Sequence, residues 1–175
     1  MAINLLSPAT LARWFKKVAV VTGLLFIVLA VLNHRLQLPV SPFGIVSYQF
    51  AGTAVRAEAI VTAWHSAQLF STALQLQYLD CVFLCLYPVC LAWACRLLAS
   101  VGEQRSAGGN LVPWFALAAG PFDGVENVLQ IIMLKAGATD ALALWSMRAA
   151  SLKFICIGVA GSYLLRVGIR RLRSR

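Results

Sequence analysis

The sequence predicts an all-α integral membrane protein, a bundle of four transmembrane helices with both termini in the cytoplasm. Of its 175 residues 61% are hydrophobic and only 12% charged, whereas soluble domains carry about 25% charged residues. The apolar residues form runs long enough to cross a bilayer as helices, which takes about 20 residues. The basic residues behind the net charge of +9 stand at the ends of these runs. That placement suits membrane topology and excludes nucleic acid as an expected partner.

Residues 1–175 are expected to form a single membrane domain with spans at about 14–33, 72–98, 111–134 and 141–165. The first apolar run follows Lys16 and Lys17 as in a signal peptide, but 33–35 offers no small-residue cleavage site, so a retained signal anchor is predicted. The polar, Gly-rich stretch 100–110 predicts a loop that ends in a helix N-cap at Asn110. The connection 135–140 is short, so the third and fourth spans should form an antiparallel hairpin.

The stretch 34–71 is predicted to lie on the outer side. Pro39, Pro42 and Gly44 make its first part a loop. Residues 53–70 contain neither Pro nor Gly and suit a helix, with Trp64 and Phe70 at headgroup level. This helix is too polar for a further span, and the sequence leaves open whether it lies at the interface or extends the second span.

Orientation follows from the distribution of Lys and Arg. One side of the predicted topology holds Arg13, Lys16, Lys17, Arg96, Arg105, Arg166, Arg170, Arg171, Arg173 and Arg175. The other side holds Arg35, Arg56 and Lys135. Both termini are therefore expected inside, in a bacterial inner (plasma) membrane, with the basic tail 166–175 against anionic membrane lipids.

Five ionisable residues lie inside the predicted spans, where a charge costs about 2.5 kcal/mol or more. They are Asp80, Asp123, Glu126, Arg148 and Lys153, accompanied by Gln77, Tyr87, Asn127 and Gln130. At a rise of 1.5 Å per residue the ionisable groups fall roughly 10–18 Å below the outer boundary, in one layer. Arg148 points away from Lys153 on the helical wheel and is shallower, so outward snorkelling is its alternative.

The third span predicts how this layer faces. Asp123, Glu126, Asn127 and Gln130 share one side with a ladder of small residues, Ala116, Gly120 and Gly124. The opposite side carries Phe122, Val125, Val128, Leu129 and Ile132. The polar side should face protein and the bulky side lipid. Pro121 and Pro88 are expected to bend their helices and open space beside the layer.

The acids of the layer outnumber its bases. Asp80, Asp123 and Glu126 face Lys153, or at most Lys153 and Arg148, so at least one carboxyl is expected to hold a proton. This predicts a site of acid–base chemistry with Asp80, Asp123, Glu126 and Lys153 as catalytic residues. The predicted substrate-binding residues are Asn127, Gln77, Tyr87, Gln130, Arg148, Trp64 and His65. Each also has a structural interpretation: an ion pair fixing helix register, hydrogen bonds between helices, packing, or interfacial anchoring.

The predicted function is a membrane enzyme that isomerises, cyclises or hydrates a lipid-soluble or amphipathic small molecule. The sequence holds no CxxC pair, Gly-rich phosphate loop or zinc-ligand spacing, and its five cysteines lie in apolar runs, so neither metal nor cofactor is expected. One alternative is a proton-coupled transporter, expected to be a homo-oligomer because four helices rarely enclose a pathway. The other is a non-catalytic membrane subunit.

Overall fold

The computed structural model describes residues 8–100 and 107–173, and within these ranges the chain forms six helices and no strand. They are α1 (Pro8–Arg35), α2 (Ile45–Gln49), α3 (Ala54–Ser66), α4 (Phe70–Ser100), α5 (Ala107–Ala136) and α6 (Asp140–Arg173). The four long helices form the bundle. Helices α4, α5 and α6 pack against one another, with α5 at the centre of this packing, and α1 packs along α4.

Three of the long helices contain stretches long and apolar enough to cross a membrane. These stretches are Ala12–Arg35, Phe70–Leu98 and Asp140–Arg170, and they match the first, second and fourth predicted spans. The predicted span 111–134 lies in α5 and is not among them, so length and composition support three spans where the sequence analysis expected four. The reason is the dense run of polar side chains in α5, namely Asp123, Glu126, Asn127 and Gln130.

Several helix boundaries differ from those expected. Helix α5 begins at Ala107, so Asn110 lies inside the helix and the predicted N-cap there is wrong. The rest of that predicted loop, 101–106 with Arg105, lies outside the described residues, as does Arg175. The basic tail continues α6 as far as Arg173. The expected hairpin of α5 and α6 is confirmed, and Gly137, at φ 92°, ends α5 in the left-handed region that suits glycine.

Residues 36–69, which we call the cap, cover one end of the bundle. The cap contains a separate helix, α3, which settles one question left open by the sequence: this segment does not extend α4. The chain breaks between them at Gln68, whose φ is 59°. Before α2, Gly44 has a φ of 61°, and a side chain there would collide with Asn33. The Asn33 side chain accepts a hydrogen bond from Ile45 N at 2.7 Å and so fixes the turn that enters α2.

The cap is held to the bundle by an apolar core beneath α3. Helix α3 buries Ala57, Ile60 and Trp64, which lie on one helical face. The Trp64 indole N–H donates to the carbonyl of Leu36 at 3.0 Å, and its ring lies 5.5 Å from the ring of Tyr48. Burial also raises the pKa of the Tyr48 hydroxyl. Trp64 is therefore a core residue of the cap and is not exposed as an interfacial anchor.

One hydrogen bond fixes the cap to the beginning of α6. The Asp140 carboxylate accepts from the backbone N–H of Ala54 at 2.7 Å. Asp140 thus sits at the N-terminus of α3 and in the first turn of α6, where the helix dipoles favour negative charge. The cap, the start of α4 and the start of α6 consequently lie at the same end of the bundle.

Candidate functional site

The centre of the site is an ion-pair triad formed by α5 and α6. The Lys153 ammonium donates to Asp123 Oδ1 at 3.0 Å and lies 2.7 Å from Glu126 Oε2. The three side chains are 6%, 3% and 0% exposed. Asp123 and Glu126 are three residues apart on α5 and therefore face the same way. A buried charge of either sign would be very costly alone, so each of these groups depends on the others.

Amide and hydroxyl side chains surround the triad. Gln130 Nε2 donates to Glu126 Oε1 at 2.7 Å and approaches Ser146 Oγ at 3.4 Å. Gln77 Nε2 of α4 donates to Asn127 Oδ1 of α5. We call the whole set, drawn from α4, α5 and α6, the polar layer: Gln77, Asp80, Asp123, Glu126, Asn127, Gln130, Ser146 and Lys153. The sequence analysis predicted all of these as site residues except Ser146.

The predicted sidedness of α5 is confirmed. Its polar residues are buried, whereas Val125, Val128 and Ile132 on the opposite side are 41–56% exposed. Gly120 packs closely against the ring of Pro88. A Cβ added to Gly120 would lie only 3.2 Å from Pro88 Cγ, so a larger residue would not fit without a shift. The small-residue ladder therefore lets α4 and α5 approach closely at this point. Pro88 fills the space between the two helices here, contrary to the expectation that it opens space.

Asp80 lies at the edge of the polar layer and is only partly buried. Its carboxyl lies beside the Asn127 side chain, and the charges of Asp123 and Lys153 act on it. Lys153, however, is already bonded to two carboxylates. The layer therefore holds three acids around one ammonium group, and the acid without a close cationic partner is Asp80.

Tyr87 lies one further turn along the same face of α4. Its hydroxyl is buried beside the carboxyl of Asp123. Two amide oxygens of the layer, Gln77 Oε1 and Gln130 Oε1, are buried without a hydrogen-bond partner. Native proteins leave few buried polar atoms unpaired, so these oxygens set the layer apart from the apolar core around it.

The layer is enclosed by apolar residues along the bundle axis. Towards the cap lies the core that includes Leu76, Met133 and Ala143. On the other side lies a cluster of Tyr87, Ala119 and Cys156. The apolar walls lower the local dielectric and strengthen every electrostatic interaction in the layer.

Three predicted substrate-binding residues lie elsewhere. Arg148 is exposed with its guanidinium 5.0 Å from the Trp145 ring, so it takes the outward alternative. Trp64 belongs to the cap core. His65 is exposed and stacks on Phe70 with ring centroids 4.0 Å apart. The structure brings together Asp80, Asp123, Glu126, Lys153, Gln77, Tyr87, Asn127 and Gln130 and leaves these three outside.

Two aromatic residues beside the site were missed by the sequence analysis. Phe83 of α4 stacks on Tyr87 at 5.0 Å, and Phe26 of α1 lies 6.2 Å from Phe83. Phe83 follows Asp80 by three residues, a spacing that places both on one helical face and that was available as a signal. Nothing in the sequence indicated Phe26, because its position depends on how α1 packs on α4.

No metal site is evident in the described part of the chain, where no three His, Cys, Asp or Glu side chains group as ligands. Comparison of the chain with family models, curated proteins and solved structures finds no match.

Proposed function

We propose that α5 also crosses the membrane, so that the chain is a four-span protein of a bacterial inner membrane. The support is the bond between Ala54 and Asp140, which ties the start of α6 to the cap. Helix α4 also starts at the cap and runs away from it, so α5 returns the chain along the bundle. Its polar side is buried and its apolar side outward, as a membrane requires.

In this arrangement both termini lie in the cytoplasm, at the end opposite the cap. The cytoplasmic end of α6 carries Arg166, Arg170 and Arg173 beside Ser162, around a hollow of about 370 Å³. The spacing puts the three guanidinium groups on one side of the helix. They bind anionic lipid headgroups, each contributing on the order of 1 kcal/mol near a charged surface.

The function proposed for the polar layer is proton transfer to and from a lipid-soluble substrate. The observation that carries it is the triad, in which Lys153 holds Asp123 and Glu126 while Asp80 lacks a close cation. Asp80 therefore serves as the proton donor. Asp123, which shares the ammonium of Lys153 with Glu126, serves as the acceptor. The same group of residues thus presents an acid and a base in a low-dielectric setting, as general acid–base catalysis requires.

Isomerisation of a carbon–carbon double bond illustrates the reaction. Asp80 gives its proton to one carbon of the double bond, which leaves a cationic centre on the substrate. Asp123 then takes a proton from a neighbouring carbon, and the double bond forms again one position along. The substrate keeps its composition, and a proton returned from Asp123 to Asp80 resets the site. Cyclisation and hydration begin with the same protonation. Gln77, Asn127, Gln130 and Tyr87 orient the substrate, while Arg148, Trp64 and His65 have no part in the proposal.

The experiment uses deuterium because it needs no knowledge of the substrate. Purified protein is incubated in heavy water with a total lipid extract of its host membrane, and lipids are analysed by mass spectrometry. Protonation at carbon leaves deuterium in positions that do not exchange with water. The wild type is expected to label a lipid species, and Asp80→Asn and Lys153→Met are expected to abolish the label.

Glu58→Gln, which removes an exposed carboxylate of α3, is the control and should keep the labelling activity. If the wild type labels no lipid, the proposed enzyme activity is refuted. In that case, collapse of a proton gradient in proteoliposomes on addition of an amphipathic cation identifies a transporter. If the variants lose only thermal stability, the polar layer is structural and the chain is a non-catalytic subunit.

A further inference from the structure

Three aromatic rings lie in a row next to the acid of the polar layer that lacks a close cation. Tyr87 and Phe83 stack with centroids 5.0 Å apart and planes at 24°, and Phe26 continues the row at 6.2 Å. Asp80, Phe83 and Tyr87 follow one another at spacings of three and four residues along one face of α4. Aromatic faces carry partial negative charge and attract cations, most strongly where water is excluded.

One buried acceptor points to a ligand at the same place. The Tyr87 hydroxyl, on a side chain that is 9% exposed, lies beside the carboxyl of Asp123, and the Asn127 side chain lies beside Asp80. Gln77, which is 1% exposed and hydrogen-bonded to Asn127 through its Nε2, leaves its Oε1 without a hydrogen-bond partner. A side chain buried this completely usually has its polar atoms satisfied, so a donor on a bound molecule would complete this group.

From this arrangement we infer that the polar layer recognises positive charge on an otherwise hydrophobic molecule. The cationic centre lies between the Asp80 carboxylate and the rings of Phe83 and Tyr87. Its class is a lipid-soluble ammonium compound or a substrate that becomes cationic when protonated. This inference rests on the proposed function and specifies its substrate. A neutral hydrophobic molecule of the same shape would be attracted neither by the Asp80 carboxylate nor by the aromatic rings, so it would bind more weakly.

The molecule enters from the side of the bundle. The cap core closes one end of the layer, and the apolar cluster beyond Tyr87 closes the other. Asp80 and Phe83 are partly exposed, and Phe26 is 60% exposed. The open part of the site is therefore the surface where α1 meets α4. In a membrane this surface faces the hydrocarbon chains, where a hydrophobic tail stays while its charged group reaches Asp80.

Charge balance couples binding to proton release. In the free protein three carboxyls, Asp80, Asp123 and Glu126, face the single ammonium of Lys153, so the layer as a whole retains a proton. The other titratable neighbours, Tyr87 and Cys81, belong to α4 itself. The ionisable side chains of α1 lie near its ends, at 13–17 and 34–35. A permanent cation bound beside Asp80 therefore displaces the proton of the layer, with a release of about one proton for each molecule bound.

The probe is dodecyltrimethylammonium, and its uncharged comparison is dodecanol, both added to the protein in phosphatidylcholine nanodiscs. Calorimetry in buffers of different ionisation enthalpy gives the affinity and the number of protons released. The cation is expected to bind the wild type with proton release, and dodecanol to bind more weakly without it. Asp80→Asn should weaken cation binding on the order of 30-fold or more and remove the proton release. Phe83→Leu should weaken it about 3- to 30-fold, and Phe83→Tyr should not.

Glu58→Gln and Phe115→Leu replace an exposed acid and an exposed ring outside the layer, and both should bind as the wild type does. The inference is overturned if the cation and the alcohol bind equally, if no proton is released, or if Phe83→Leu binds normally. The deuterium assay separates the two proposals. If deuterium labelling occurs but the cation does not bind selectively, the proposed enzyme activity stands and the cationic substrate is rejected. If the cation binds selectively but no lipid is labelled, the binding site stands and the proposed catalysis is rejected.

Discussion

Replacement of Lys153 by methionine tests the ion-pair triad directly. Methionine keeps most of the side-chain volume but removes the charge that lies 3.0 Å from Asp123 and 2.7 Å from Glu126. Both carboxylates then lose their cation at sites that are 3% and 0% exposed. Breaking a buried pair of this kind typically costs about 3–5 kcal/mol, because the remaining charge is left without compensation. For a domain of this size that corresponds to a fall in Tm of roughly 6–20 °C.

The assay is thermal unfolding of the purified protein in a neutral detergent. Lys16→Met is the matched control, because Lys16 is exposed near the start of α1 and its replacement should leave the Tm nearly unchanged. A Lys153→Met variant that unfolds at the same temperature as the Lys16→Met control would show that the triad contributes nothing to stability.

A rescue experiment distinguishes lost charge balance from lost packing. Adding Asp123→Asn and Glu126→Gln to Lys153→Met removes the uncompensated charges while keeping side-chain shape. The triple variant should recover most of the lost Tm, since neutral replacements of whole buried ion clusters are often tolerated. A triple variant no more stable than Lys153→Met alone would show that the cost lies in packing.

Three further predictions concern the cap and the topology. Trp64→Ala should cost about 3–5 kcal/mol in detergent unfolding, because it empties the cap core and removes the hydrogen bond to Leu36. Asp140→Ala should cost about 0.5–2 kcal/mol, measured as faster hydrogen exchange at Ala54, because it removes an acceptor at the start of α3. Alkaline phosphatase fused within 137–139 should be active in a bacterial host and inactive when fused at the C-terminus, because α6 crosses between the two points.

Each of these predictions has an outcome that would contradict it. Trp114 is 52% exposed, so a Trp114→Ala variant as unstable as Trp64→Ala would show that Trp64 is not a core anchor. Exchange at Ala54 that is unchanged by the loss of Asp140 would remove the link between the cap and α6. An active phosphatase at the C-terminus would mean that α5 does not cross the membrane.

The inward face of the polar layer was predictable because helical periodicity relates residues within one helix. Asp123, Glu126, Asn127 and Gln130 recur at spacings of three and four, which assigns them to one side whatever lies opposite. The depth estimate brought Asp80 and Lys153 to the same level by simple counting along their helices. The sequence therefore predicted which residues share the layer, but not which acid Lys153 contacts.

The arrangement of the cap depended on contacts that no periodic pattern encodes. Trp64 suits a membrane interface by composition, yet its indole N–H finds a partner in Leu36, 28 residues earlier in the chain. The break at Gln68 requires a positive φ, which glutamine rarely adopts and which gives no signal in the sequence. Phe26 likewise joins the site only through the packing of α1 on α4.

Composition also explains why α5, which the sequence analysis expected to be a span, is not among the helices apolar enough to cross a membrane. A helix that hides a polar stripe from lipid is less apolar on average than one that faces lipid on all sides. Hydropathy averages over the whole circumference, so it misses such a helix, whereas the burial of Glu126 and the exposure of Val125 distinguish the two sides.

The most direct test of the proposed proton donor is the protonation state of Asp80 in the resting protein. Infrared spectroscopy of the protein in lipid at neutral pH distinguishes a protonated carboxyl from a carboxylate by its carbonyl stretch. We predict a protonated-carboxyl band that is absent in Asp80→Asn and is retained in the exposed-acid control Glu58→Gln. A wild-type spectrum without that band, or one that Asp80→Asn leaves unchanged, would contradict the proposed proton donor.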